Sequence, residues 1–268
     1  MQKSINKRLG IMAVVALISF LFWIAIKPWI LEPGLENSLP AAGWALLILF
    51  FVLSISVVGL AFYLLADHRY ALITSVIIGG TYLLVFGVNL LFLAAFLVMV
   101  LSQFIAIDRI IGDIKGRITI HPRASISRGI TFIVTSFLIL VATAYYTSPA
   151  IQETAKTREL PLQMRQLIRE VSSKVLSKEF EQLTPRERAQ AEQQIEGQVS
   201  ELFNDLIGPY REFVPFVLAL LLFLLLQSVG ILAVAFAAYG AGLLFKLLEK
   251  LDFVHIEERD VKAQRVVF

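Results

Sequence analysis

The chain has 268 residues, of which 57% are apolar and only 17% charged, with a mean hydropathy of +0.76 and a net charge of +3. A soluble domain carries about 25% charged residues, so this composition excludes an ordinary water-soluble fold and points to a membrane protein. The absence of cysteine also excludes disulfides, zinc–thiolate sites, iron–sulfur clusters and cysteine nucleophiles.

One helical crossing of a ~30 Å hydrocarbon layer takes about 20 apolar residues. Lys3, Lys7 and Arg8 precede the first apolar run, residues 9–26. Basic residues before such a run also open a signal peptide. Here no small-residue cleavage site follows, and the run leaves through Lys27-Pro28-Trp29. It reads as an uncleaved first span, with Trp23 and Trp29 bracketing its far end at the membrane boundary. A second span covers 42–65 and ends at the polar turn Asp67-His68-Arg69.

Residues 71–107 contain no charge. As a single helix they would extend ~55 Å, more than a bilayer accommodates even with strong tilt. The length predicts two spans, 71–87 and 89–107. The turn falls near Gly87-Val88-Asn89, residues that tolerate turn geometry.

The loop 108–128 is the most basic short segment. It sets Arg109, Lys115, Arg117, Arg123 and Arg128 against Asp108 and Asp113. These five cations are candidate contacts for anionic lipid headgroups, or simply a topology signal. A fifth span, 129–146, ends in Tyr145-Tyr146, completing an N-terminal transmembrane region over 1–149.

Residues 150–212 form the one sizeable polar region. Within 160–183, Met164, Leu167, Ile168, Val171, Val175, Leu176 and Phe180 recur at helical spacing, with basic residues opposite. Thr184-Pro185-Arg186-Glu187 then has the pattern of a capping box with proline at the first helical position. A second amphipathic helix follows, with Leu202, Phe203 and Leu206 on one face, and Gly208-Pro209 stops it. Two helices alone make a thin core. The stripe Leu167, Val171, Val175, Leu202 and Leu206 is therefore the candidate interaction surface.

Residues 213–248 hold one charge, Lys246. The same length argument predicts a hairpin of two spans turning near Gln227-Ser228-Val229-Gly230, with 249–268 as a polar tail. On the last span, Ala237, Ala238, Ala241 and Gly242 form a small-residue face suited to close helix packing.

The fold class is thus an all-α polytopic transmembrane bundle of about seven spans, alternatively six, carrying an amphipathic helical hairpin. Short loops on one side hold nine Lys and Arg residues, and the opposing ones hold only Lys27. By the positive-inside rule the N-terminus is cytoplasmic and 150–212 extracytoplasmic, in a membrane such as the bacterial cytoplasmic one. Seven crossings put the tail outside, although Lys246 and Lys250 favour the inside.

Chemistry is sparse. No span interior carries an ionisable residue of the kind a coupled transporter keeps there. Asn89, Gln103 and Gln227 are the candidate intramembrane polar residues for a permeation path. His68, His121 and His255 lie in different segments without metal-ligand spacing, so no metal or cofactor is expected. The basic residues are few and adjoin the bilayer, which gives nucleic-acid binding no support.

Several phrases carry a resemblance. They are His121-Pro122-Arg123 with Ser127-Arg128-Gly129, the span ending Ala144-Tyr145-Tyr146-Thr147-Ser148-Pro149, YREFVPFVLALLLFLLLQSVG from Tyr210, and FKLLEKLDFVHIEE from Phe245. Over residues 120–260 the chain resembles uncharacterised multi-pass membrane proteins of small-genome candidate-phyla bacteria. The resemblance implies a bacterial membrane and the order span, outer helical region, paired spans. It implies no activity. The leading expectation is a non-enzymatic anchor or scaffold. Its hairpin binds a second copy of the chain or another membrane or extracytoplasmic protein. A channel or uncoupled permease, and a lipid-headgroup enzyme at 108–128, are the alternatives.

Overall fold

A computed structural model describes residues 2–31, 41–117, 121–156, 197–198 and 208–254. These residues contain helices α1 (Gln2–Leu31), α2 (Ala41–Leu65), α3 (His68–Phe86), α4 (Leu90–Lys115), α5 (Pro122–Tyr146), α6 (Pro149–Lys156) and α7 (Val214–Lys250), with a 3-10 turn at Gly208–Phe213 before α7. Six of them, all but α6, are long and apolar enough to cross a membrane. The chain is an all-helical, multi-pass membrane bundle. The candidate interaction stripe Leu167, Val171, Val175, Leu202 and Leu206 lies outside the described residues, as does the Thr184-Pro185 capping box.

Two short turns are built by local chemistry. After α2, Ala66 takes a left-handed conformation (φ 39°) and its N–H donates to the Phe62 carbonyl. Asp67 then caps α3, its carboxylate accepting from the Arg69 N–H at 2.9 Å. After α3, Gly87 adopts φ 93°, which a side chain would resist. Asn89 caps α4 by accepting from the Phe92 N–H at 2.8 Å. The 71–107 stretch therefore divides at Gly87-Val88-Asn89.

The 213–248 stretch does not divide. Where a hairpin of two spans was expected, α7 is one continuous helix of 37 residues. The span count among the described residues is six, the alternative, and not seven. Two residues of the expected turn, Gln227 and Gly230, pack on α5 instead. Gly230 lies against Val134 and Leu138 of α5, so that an added Cβ would be only 3.3 Å from Val134. Gln227 Nε2 donates to Thr135 Oγ1 at 3.3 Å, and Ser228 bonds back to the Leu225 carbonyl of its own helix. A helix break at this depth would strip backbone groups of partners in a medium without water.

Around the bundle the helices follow the order α1, α2, α7, α5, α4, α3, closing back on α1, with α2 also touching α5 across the middle. In lipid, apolar side chains gain little by leaving the hydrocarbon, so helices associate through close packing and interhelical hydrogen bonds. The interior shows both. Phe22 and Trp23 of α1 meet Phe51 of α2, Tyr82 of α3 and Phe137 of α5, with Trp23 stacked on Phe137 at 5.5 Å. Trp23 is wholly buried and is not the boundary residue its position suggested. Trp29 occupies the helix-end belt instead, against Trp44 and Tyr145.

Small residues set the spacing. A Cβ on Gly129 of α5 would collide with the Ala106 carbonyl oxygen of α4. Ala237, Ala238 and Ala241 of α7 are buried within the bundle, and the Ser56 hydroxyl of α2 reaches the Ala237 carbonyl at 3.1 Å. The small-residue face of the last span is thus used inside the chain.

Gly129→Ala should push α4 from α5 and destabilise the detergent-purified protein by about 1–3 kcal/mol, the usual cost of overpacking. Gly80→Ala, where an added Cβ meets nothing within 4 Å, should raise the thermal transition slightly or leave it unchanged. Equal behaviour of the two variants in a thermal melt would contradict this packing.

Candidate functional site

The two ends of the bundle differ in chemistry. One end gathers the start of α1, the Ala66–Asp67 turn, the α4–α5 connection and the chain after α7. Lys7 Nζ donates to the Phe253 carbonyl at 2.6 Å and lies 5.0 Å from that ring, which ties the first helix to the last. Arg8 donates to the Tyr70 hydroxyl and covers its ring. His68 Nε2 and Asp108 Oδ1 are 2.6 Å apart, linking α3 to α4. At the other end Lys27 Nζ donates to the Val85 carbonyl at 2.8 Å, beside the Trp29–Trp44–Tyr145 belt.

The five candidate headgroup cations separate into two groups. Asp113, with its side chain 14% exposed, accepts two hydrogen bonds from Arg117 and one from Ser125 at 2.8 Å, and Arg128 stands 3.6 Å away. This carboxylate stitches the end of α4 to the start of α5. The bond to Asp113 holds the Arg117 guanidinium further above its ordinary, already high pKa. Arg109, Lys115 and Arg123 are exposed. Of these, Arg123 stacks on Tyr239 of α7, its guanidinium carbon 3.3 Å from the ring centre.

Arg123 stands in an open groove of about 820 Å³ between the start of α5 and the second half of α7. Val234, Ala235, Ala238 and Leu243 give it an apolar wall, and His121, Arg123, Lys246 and Glu249 line it as well. The Asp113–Arg117 half of this region was legible as an i,i+4 pair of opposite charge. The Arg123–Tyr239 contact joins residues far apart in sequence and depends on α5 and α7 lying antiparallel, for which no sequence signal exists.

The candidate intramembrane polar residues do not converge on one path. Asn89 spends its side chain as a helix cap. Gln103 is wholly buried, its Oε1 accepting from Ser75 at 2.9 Å and its Nε2 facing Ser136 Oγ at 3.4 Å. Ser136 in turn donates to the Ile133 carbonyl at 2.7 Å, and Ser75 also bonds the Ala71 carbonyl of its own helix at 2.8 Å, so polar side-chain contacts run from α3 through α4 to α5. Gln227 reaches Thr135, the neighbour of Ser136, from the α7 side. The two glutamines therefore clasp α5 at one level from opposite flanks.

Among the described residues, no three His, Asp or Glu side chains gather as a metal site would require. No protein-family model matches the sequence, and no curated protein or solved structure is significantly similar to it.

Gln103→Leu should lower stability by about 0.6–1.7 kcal/mol, the range measured for interhelical hydrogen bonds in membranes, and a thermal melt in detergent checks it. Asp113→Asn should release Arg117 and speed tryptic cleavage after Arg117 several-fold, read by limited proteolysis of the purified protein. An unchanged cleavage rate would mean that the Asp113 cluster does not hold this connection.

Proposed function

We propose that this integral membrane protein is a non-enzymatic anchor. Its six-helix bundle holds the polar segment 150–212 at the extracytoplasmic face, where the stripe Leu167, Val171, Val175, Leu202 and Leu206 binds a second copy or another protein. The reading rests above all on how the segment is mounted. It leaves through α6, which packs on α7 and on the 3-10 turn through which the chain returns. Exit and return therefore share the end of the bundle that carries Trp29 and Tyr145. A long polar excursion gripped at both feet is what a membrane-mounted binding element needs.

Orientation follows from charge. Lys7, Arg8, Arg69, Arg109, Lys115, Arg117, Arg123, Arg128, Lys246 and Lys250 belong to the end that joins the first helix to the last, and the positive-inside rule makes that end cytoplasmic. Six crossings return the chain to the side where it began. The tail is then cytoplasmic, and Lys246 and Lys250 no longer conflict with the other loops. The interior supports an anchor over a conduit, since its glutamines serve helix–helix contacts.

Single cysteines at Gln190 and Gln264 in the naturally cysteine-free chain test the orientation in intact cells. A membrane-impermeant maleimide should label Gln190→Cys and spare Gln264→Cys until the membrane is permeabilised. A photo-crosslinking residue at Val171 or Leu202 should then give a discrete adduct, and Val171→Glu should abolish the one formed at Leu202. Labelling of Gln190→Cys only after permeabilisation, or no adduct at either position, would overturn the proposal.

A further inference from the structure

We propose that the groove between α5 and α7 is a binding site for an anionic glycerophospholipid, with its phosphate between Arg123 and Lys246 and an acyl chain along Val234, Ala235 and Ala238. The site is independent of how segment 150–212 is used.

Three observations carry the assignment. The first is shape: a groove of about 820 Å³, open at the side and walled by small and aliphatic residues of α7, is large enough to receive part of a lipid chain. It exists because Gly242 lets α7 approach α5 closely, an added Cβ there falling 3.3 Å from Arg123 Cβ. The second is charge. Arg123 and Lys246 face the same groove from different helices, and His121 adds a third nitrogen side chain. Glu249 is the one carboxylate in the lining, and no ion pair joins it to Arg123 or Lys246 among the described residues. The third is preorganisation. Tyr239 holds the Arg123 guanidinium over its ring, its central carbon 3.3 Å from the ring centre, and the guanidinium N–H groups can donate to phosphate oxygens.

The position along the bundle agrees with the chemistry. Contacts of Gly230 with Val134 and of Gly242 with Arg123 show α7 running antiparallel to α5. Arg123 lies in the first turn of α5, and Lys246 one turn beyond Gly242, toward the charged end of the bundle. A phosphate sits at that level and its chains run inward past Ala238 and Val234. A second copy of the chain fits less well. A two-fold contact across this groove would set the same patch against itself, bringing Arg123 and Lys246 toward their own copies.

Native mass spectrometry of the full-length protein tests the site. The probes are phosphatidylglycerol, phosphatidylcholine of identical chains, and inorganic phosphate alone. Phosphatidylglycerol should be retained in preference to phosphatidylcholine. Lys246→Ala should weaken that preference about fivefold, the effect of one cation near an anionic headgroup, and Arg123→Ala should do the same. Ala235→Trp should fill the groove and reduce retention of both lipids with no change of charge. Arg69→Ala, an exposed cation on α3, should change nothing.

Lys246 is exposed, and its ammonium makes no ion pair among the described residues, so its variant reports on the site even where loss of the Tyr239 stack harms folding. The proposal fails under any of three results. One is an equal effect of Arg69→Ala, which would mean diffuse attraction. Another is displacement of the lipid by inorganic phosphate alone, which would mean a free-anion site. The last is dissociation of a dimer by Ala235→Trp with lipid retention intact, which would mean a second copy occupies the groove.

Discussion

The approach of α5 to α4 at Gly129 governs the rest of the bundle. With hydrogen in place of a side chain, α5 comes against the Ala106 carbonyl, and Ile110 closes over the same glycine. Hydrophobic burial cannot supply this contact, because the lipid is as apolar as the helix face it replaces. What remains is dispersion between closely fitted atoms and the few polar bonds that have no water to compete with them. Both follow from the short spacing. Ser102 of α4 reaches the Phe132 carbonyl of α5 at 2.9 Å, and Gln103 reaches Ser136, only because the two backbones are near. On the other flank Gly230 and Gly242 repeat the device for α7. α5 is in consequence more enclosed than α7: twelve of its 25 residues are buried, against eight of 37.

The sequence made the bundle class plain and misjudged one long apolar stretch of two. Residues 71–107 and 213–248 have nearly equal length, and each holds a glycine, an amide and other turn-tolerant residues near its middle. Only the first breaks. The difference lies in side-chain reach. Asn89 is short enough to cap the backbone N–H three residues on, and Gly87 supplies the positive φ just before it. Glutamine, one methylene longer, is not among the favoured caps, and Gly230 follows Gln227 instead of preceding it. That distinction was present in the sequence, whereas length alone concealed it. The two tryptophans teach a similar lesson. Trp23 and Trp29 are six residues apart at the end of one span, and only three-dimensional neighbours decide that one is core and the other belt.

The length of α7 then becomes a property to explain. A helix of 37 residues extends ~55 Å, well beyond a ~30 Å hydrocarbon layer. Its pairing with α5 accounts for about half of the excess. Gly242 is level with Arg123 in the first turn of α5, so the eight residues after it continue past the α5 start toward the charged end. Phe245 there packs on Tyr63 of α2 at 5.8 Å, and the chain beyond Lys250 meets Lys7. The last two turns of α7 thus pack on α2, and the residues just after them tie down the first helix.

The charged end was legible as a cluster of cations but not in how those cations are divided. Arg117 and Arg128 are committed to Asp113, whose carboxylate is nearly enclosed, and removing it would leave like charges crowded where two helices meet. Arg123, five residues before Arg128, turns the other way onto Tyr239. A helix rotates a side chain by 100° per residue, so five residues place these arginines on opposite flanks of α5. One flank faces α4 and a carboxylate, the other faces α7 and a groove with cations on both walls. The same basic loop therefore does two jobs, closing the α4–α5 connection on one side and leaving a positively charged apolar cleft on the other. A topology count sums these residues; only the rotation of α5 separates them.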